Sequence, residues 1–349
     1  MISTLALQNR PRTWNQLLGQ PVAKAILTGS IRLNQLPPAF LLEGTSGSGK
    51  TSGALLIAKR LICQSPNEED PCNECKACLT VDKGDNPNLL YVDGTNDRSI
   101  DFVRETIRPF VRSAPINSKY KILIIDEVHQ FKKDSISPFL TLLENMPKTT
   151  VAIFCTTEPD KVLPEIQGRC RRVRFNGVDP ELVGVRIAEA LKVADPTPFI
   201  MVAKEANGSF REAWSIVESL TLSGQPITED LIYKAIGGIS TADRNKMWTD
   251  LARTDIAAVA KRWKSWITSG AQPARAGSQL IDDLVFMASR DTTKLYWQKP
   301  LVILSGARLQ GNTDIWLAAL LTIAGQPYSL SVKEVDLTNL KGVKKFLYD

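Results

Sequence analysis

One segment constrains this chain more than any other: Phe40-Leu41-Leu42-Glu43, followed at once by Gly44-Thr45-Ser46-Gly47-Ser48-Gly49-Lys50-Thr51. It satisfies G-x(4)-G-K-T. It also lies between a short apolar strand and a stretch, Thr51 to Leu61, with leucines, isoleucine and alanines at helical spacing. A chain that leaves a strand, curls through glycines and enters a helix offers consecutive backbone N–H groups and the positive end of the helix dipole to an anion. In such a loop the lysine reaches the β and γ phosphates of a nucleotide and the following hydroxyl ligates Mg²⁺. The motif therefore predicts an ATP site formed by Gly44, Thr45, Ser46, Gly47, Ser48, Gly49, Lys50 and Thr51. A chance glycine turn would lack the flanking strand and helix.

Further apolar runs follow at Leu89 to Asp93, Lys121 to Asp126 and Val151 to Thr156, each leading into polar and then helical sequence. Their apolarity is continuous rather than alternating, which suits strands covered on both faces, so residues 1–176 are expected to hold a parallel sheet with flanking helices. Ile122 to Ile125 end in Asp126-Glu127, two carboxylates at the C-terminal edge of that sheet beside the glycine loop. An acidic pair after a strand is by itself more often a solvated strand end. Together with the loop it assigns Asp126 to the Mg²⁺ shell, with Thr51, and Glu127 to the water that attacks the γ-phosphate. The implied activity is ATP hydrolysis.

Beyond Asn176-Gly177 the strand pattern stops. Pro180 to Val193, Pro198 to Asn207, Phe210 to Leu220 and Thr228 to Ile236 read as four short helices separated by Pro, Gly and Asn signals, a small helical lid over 177–239. Residues 240–349 form a third, helix-rich block, with helices expected at Asp243 to Arg253, Asp255 to Ser269, Ala274 to Trp297 and Thr313 to Ile323. Trp248, Trp263, Trp266, Trp297 and Trp316 lie there, either as core or as an assembly surface. Pro327 to Asp349 fits no pattern. A length of 349 residues agrees with two or three domains.

Cys63, Cys72, Cys75 and Cys78 give C-x(8)-C-x(2)-C-x(2)-C, with Pro71 and Asn73 to help the turn. Two C-x(2)-C steps sharing a cysteine match structural zinc spacing with no open position for catalysis; free thiols are the alternative. Cys155 reads as a strand core residue, and His129, the single histidine, as locally packed. The longest apolar runs fall short of the ~20 residues of a membrane span, and Met1 to Arg12 lacks a basic segment followed by an apolar stretch, so no membrane association is expected and the cytoplasm is the expected location. A net charge of +6 permits nucleic-acid contact without requiring it.

These pieces in this order resemble the bacterial DNA polymerase III gamma/tau subunit, the AAA+ motor of the sliding-clamp loader, in a divergent bacterial or phage version. The resemblance runs from residue 9 to about 238 and rests on Arg10-Pro11, Leu18-Gly19-Gln20, the glycine loop, the four cysteines after its helix, and Asp126-Glu127-Val128-His129. It continues through Thr156-Thr157-Glu158-Pro159, Arg169-Cys170 and Gly208-Ser209-Phe210-Arg211. It implies an AAA+ fold, a lid and a C-terminal helical collar, the last by position only. Thr157 resembles sensor 1, Arg169 the arginine finger offered to a neighbouring subunit, and Arg211 sensor 2; Pro11 and Val22 would border the adenine. Gly168 stands where the family usually has Ser, and Arg169 shares its surroundings with Arg171, Arg172 and Arg174, a basic strand face that could equally serve solvation or DNA. Arg98, Ser99 and Lys161 are the implied DNA contacts, although Ser99 can equally cap a helix at Ile100 and Arg98 can simply be solvated. The implied partners are the sliding clamp, further loader subunits in a homo- or hetero-oligomeric pentameric ring, and primer-template DNA. A branch-migration helicase, a helicase loader or a non-hydrolysing loader subunit are the alternatives.

Overall fold

The computed structural model of the protein describes residues 4–95, 99–131 and 133–290, together with Leu304, Ala319, Leu320 and Ile323; for residues 4, 133–137, 230, 286 and 288–290 the description is of the backbone alone. Five strands are present: β1 Ala39–Gly44, β2 Leu89–Asp93, β3 Lys121–Asp126, β4 Thr150–Thr156 and β5 Arg171–Phe175. They pair in parallel in the order β2-β3-β4-β1-β5. The strand carrying the glycine loop and the strand carrying the acidic pair are thus separated by β4, and all three end on the same edge.

Strand alternation explains why the apolar runs are continuous. Phe40, Leu42, Ile122, Ile124, Ile153 and Cys155 pack on one face with Ala54, Ile57 and Leu61 of the helix Lys50–Ile62. Leu41, Leu123, Ile125, Ala152 and Phe154 pack on the other with Val103, Ile107, Phe139 and Leu142. Each of these strand side chains is fully buried, and at roughly 1.5–3 kcal/mol per large apolar side chain the sheet forms a rigid platform for whatever its edge carries. The expected α/β class holds: a parallel sheet carrying the glycine loop, flanked and followed by helices.

The chain divides into two compact units, Met1–Ser219 and Leu220–Asp349. In the first, the helices Pro180–Leu191 and Thr197–Glu205 follow the sheet, and Phe210–Thr221 begins at Phe210. In the second, the described helices are Glu229–Ile236, Thr241–Ala252, Ile256–Thr268 and Pro273–Arg290, and no strand occurs among the described residues. Trp248, Trp263 and Trp266 are buried there with Met247, Leu280 and Leu284, so these three indoles are core. The core of the second unit also holds an ion pair. Arg244 Nε donates to Asp283 Oδ2 at 2.8 Å, Trp248 Nε1 donates to the same oxygen at 3.1 Å, and Arg244 Nη1 donates to the Ile239 carbonyl at 2.6 Å. A buried pair this fully hydrogen-bonded offsets much of its own desolvation. Trp297, Trp316, the segment 327–349 and most of the helix expected over Thr313 to Ile323 lie outside the described residues.

Candidate functional site

The glycine loop leaves β1 and closes on the helix Lys50–Ile62. Gly49, at its N-cap, has φ 98°, and Gly47 has φ 73°. A Cβ at Gly47 would lie 2.2 Å from Ser209 Oγ, and the Phe210 N–H donates to the Gly47 carbonyl at 3.3 Å. The absent side chain thus lets the segment Ser209–Arg211 lie on the loop. Lys50 is 5% exposed, and its Nζ donates to the carbonyls of Gly44 and Thr45, both at 2.8 Å. Burial lowers its ammonium pKa. Thr51 Oγ1 donates to Asp126 Oδ2 at 2.7 Å, joining the loop after β1 to the end of β3 across the intervening strand. A hydroxyl and a carboxylate facing each other at a cavity wall are the hard oxygen donors that suit Mg²⁺.

Ser46, Gly47, Ser48, Gly49, Lys50, Thr51, Asp126, Glu127, Thr157, Arg211 and Pro11 line one cavity of about 370 Å³. Gly44 and Thr45 stand behind it with their carbonyls on Lys50. Val22, 69% exposed on the helix Pro21–Arg32, is not among the lining residues. Gln20, buried at the N-cap of that helix, donates through Nε2 to the carbonyls of Ser48 (3.2 Å) and Asn176 (2.6 Å) and accepts from the Asn176 N–H (3.0 Å), pinning the loop to the chain just beyond β5.

Glu127 adopts the left-handed conformation, φ 49°, which is uncommon outside glycine and asparagine. Its Oε2 accepts from both the N–H (3.1 Å) and the hydroxyl (2.9 Å) of Thr157, the first residue past β4. The central strand therefore presents Thr157 to the carboxylate expected to prepare water. His129, 3% exposed, shares a hydrogen bond with Thr156 Oγ1 at 2.9 Å and stands 3.2 Å from Glu158 Oε1. It also stands 3.4 Å from Glu127 Oε2, so beyond the packing expected of it the ring belongs to the polar network around the acidic pair. Arg169 is placed elsewhere: it follows the short helix Pro164–Gln167, pairs with Glu144, and donates through Nη1 to the Glu165 carbonyl at 2.9 Å. It is not among the residues lining the cavity of its own chain. Of the DNA candidates, Ser99 Oγ accepts from the Phe102 N–H (3.1 Å) as an N-cap, Lys161 pairs with Glu158 and thereby lowers that carboxyl's pKa, and Arg98 lies outside the described residues.

Tyr91 and Arg10 are among the cavity residues not read from the sequence as site residues. The Tyr91 hydroxyl on β2 donates to Asp126 Oδ2 at 2.9 Å, and burial together with the Asp126 charge raises its pKa. Arg10 also lines the cavity, where burial lowers its pKa and Tyr91, Arg211 and Asp126 act on it electrostatically. The available signals were a hydroxylated aromatic on the strand paired with β3 and the position of Arg10 directly before Pro11.

The four cysteines converge. All four Sγ atoms lie within 4.8 Å of one another, with Cys63–Cys72 at 3.4 Å and Cys63–Cys75 and Cys72–Cys78 each at 3.9 Å. A tetrahedral Zn²⁺ with Zn–S near 2.3 Å needs sulfur–sulfur edges of about 3.8 Å, so the set fits. Asn73 takes φ 63° to make the turn between Cys72 and Cys75. The N–H groups of Glu74 and Cys75 pull the Cys72 thiol down to about 6, while burial raises that of Cys78. Protein purified under reducing, chelator-free conditions is expected to carry one zinc per chain by elemental analysis, and metal-free protein would return these cysteines to free thiols. Cys155 is buried in β4, as expected.

Residues 19–179 match a family model described as DNA polymerase III, delta subunit. The DNA polymerase III subunit tau of Bacillus subtilis (strain 168) is 29% identical over 283 residues, 79% of this chain and 49% of that protein. The chain is related to the DNA polymerase III gamma/tau subunits. Protein STICHEL of Arabidopsis thaliana is likewise 30% identical over 285 residues, 80% of this chain and 23% of that protein. This gamma/tau-like chain thus spans about half, or less, of the length of these relatives. Among solved structures, the Thermotoga maritima RuvB Holliday junction branch migration motor superposes with a TM-score of 0.47 at 17% identity, over 70% of this chain and 80% of that one. No helix among the described residues is long and apolar enough to cross a membrane.

Proposed function

We propose that this chain is the ATPase motor subunit of a DNA sliding-clamp loader. The reading is carried by one cavity that gathers Lys50, the Thr51–Asp126 pair, the Glu127–Thr157 pair and Arg211, in a chain related to gamma/tau subunits. The N–H groups of 46–51 and Lys50 bind the phosphates of ATP, Thr51 and Asp126 hold Mg²⁺, and Glu127 orients the attacking water. Arg211, at the start of the helix Phe210–Thr221, reports the nucleotide to the lid, and Pro11 borders the base. A P-loop domain over 1–176, a lid over 177–239 and a collar over 240–349 give these residues their division of labour, and the cysteine loop over 63–78 carries structural zinc.

In this scheme ATP bound between neighbouring subunits of a five-membered ring, homo- or hetero-oligomeric, favours the ring state that holds the clamp open. Hydrolysis removes that preference and releases the clamp onto primer-template DNA in the cytoplasm. Ser99 and Lys161 contact DNA phosphates without sequence preference, so binding weakens with salt. The test is ATP turnover by the purified chain with its partner subunits. Clamp and primed DNA together are expected to raise turnover well above its basal value, and Lys161→Ala to blunt the DNA response while sparing the basal rate. Turnover that ignores both clamp and primed DNA would reject the clamp-loader reading in favour of another AAA+ motor, and no turnover at all would leave a structural subunit.

A further inference from the structure

The metal-ligating loop and the nucleotide cavity are joined by one short segment, residues 12–17. The loop grips this segment from outside. Asp70 Oδ1 accepts the Trp14 backbone N–H at 2.8 Å, the Glu69 carbonyl accepts Trp14 Nε1 at 3.0 Å, and Asn73 Nδ2 donates to the Arg12 carbonyl at 3.0 Å. The other side of the segment forms the cavity: Gln16 and Leu17 line it, and a Cβ on Gly49 would lie 2.9 Å from Leu17 Cδ1. Trp14 and Leu17 are both buried, 4% and 3% exposed, so the segment is a packed wall rather than a loose strand of coil.

The grip depends on the fold of the cysteine turn. Asn73 sits between Cys72 and Cys75 in the left-handed conformation, and Lys59 Nζ, itself 3% exposed, donates to Asn73 Oδ1 at 2.7 Å, which turns the amide nitrogen toward Arg12. The same Lys59 bonds both oxygens of Asp82, on the helix Lys76–Lys83 that begins directly after Cys75. Sulfur ligation at Cys72, Cys75 and Cys78 is what would fix this turn and helix relative to Cys63, because a structural metal site closes local geometry that the chain alone holds weakly.

We propose that the cysteine loop braces the wall of the nucleotide cavity, so that nucleotide affinity depends on metal occupancy through Asp70 and Asn73, which act as positioning residues. The inference rests on the ATP-binding reading given above. It deepens that reading by assigning a regulatory input to the same cavity: loss of zinc slackens residues 12–17 and weakens nucleotide binding while the glycine loop stays intact.

The experiment titrates a fluorescent ATP analogue with Mg²⁺ into the full chain. The zinc-loaded wild type is expected to bind, and the double variant Asp70→Ala with Asn73→Gly, glycine keeping the left-handed turn, to bind about ten-fold more weakly with unchanged zinc content, the scale of one to two hydrogen bonds. Asp70→Asn, which keeps the accepting oxygen, should recover most of the loss from Asp70→Ala. Stripping zinc should weaken the wild type by a similar factor and add little to the double variant, since both act through the same wall. Unchanged affinity in a folded double variant, or additive effects of stripping and substitution, would overturn the proposal. If the variant does not fold, hydrogen exchange at the Trp14 amide of the wild type decides: it must accelerate on chelation, and an unaltered rate overturns the brace. A zinc-loaded wild type that binds no nucleotide would instead refute the ATP-binding reading, and this inference with it.

Discussion

Lys50→Ala is expected to weaken nucleotide binding by at least 10²-fold, whereas Glu127→Gln keeps affinity within a few-fold of wild type and lowers turnover by about 10²–10⁴. The difference follows from where the two side chains sit. Lys50 is buried under the loop, with Nζ on the Gly44 and Thr45 carbonyls, so it is already aimed where phosphate oxygens would be bound. Its loss removes charge-assisted hydrogen bonds worth about 1.5–3 kcal/mol each and leaves those carbonyls without their donor. Glu127 lies past the end of β3 and is held by Thr157 at the end of β4. Glutamine keeps the shape and can keep one bond to Thr157, but it cannot accept a proton from water. Equilibrium titration and single-turnover measurements separate the two phenotypes, and a melting temperature within a few degrees of wild type shows that Lys50→Ala has not simply lost the loop. Equal loss of binding in both variants would defeat the division of roles.

The parts of the site that could be read from the sequence are those whose chemistry is local. The glycine loop announces itself because strand, glycines, lysine and helix are contiguous, and Asp126-Glu127 because the carboxylate pair ends an apolar strand in a chain that already carries that loop. The four cysteines are legible by spacing alone. What the sequence hides are contacts made by folding. Tyr91 reaches Asp126 only because β2 pairs with β3 in a register that sets Asp93 opposite Asp126. Gln20 joins Ser48 to Asn176, and Ser209 fills the space over Gly47, across separations that no periodicity encodes. β5, Arg171–Phe175, alternates too briefly to stand out: Val173 and Phe175 are buried while Arg171, Arg172 and Arg174 are exposed on an edge strand. The helical turn Val103–Ile107 widens to a π-type turn, a feature no composition signal marks. Asn73 is a case between these. Its left-handed turn is foreshadowed by its residue type, and its bond to Arg12 is not.

Arg169→Ala is expected to bind ATP almost normally yet turn over roughly 10³-fold more slowly, a loss of about 4 kcal/mol of transition-state stabilisation. Within its own chain the guanidinium is tied to Glu144 and the Glu165 carbonyl, and the residue is not among those lining the chain's own cavity. A direct role at that cavity therefore has no geometric support, which leaves a neighbouring subunit's cavity or no catalytic role. Its surroundings also supply a competing account: Arg171, Arg172 and Arg174 follow on β5, and Arg172 is paired with Glu43, so Arg169 could be one more member of a basic face. Mixing two inactive proteins distinguishes these. Lys50→Ala retains an intact Arg169, and Arg169→Ala retains an intact glycine loop. Where subunits exchange, some interfaces in a mixed ring pair the two intact halves, and turnover partly returns. Exchange is verified independently by fluorescence transfer between labelled chains, with mixing followed at increasing ratios of one variant to the other. Activity should pass through a maximum at intermediate ratios, because only there do complementary interfaces form. A flat profile at background, with exchange established, would remove Arg169 from the reaction and assign it to the basic face of β5.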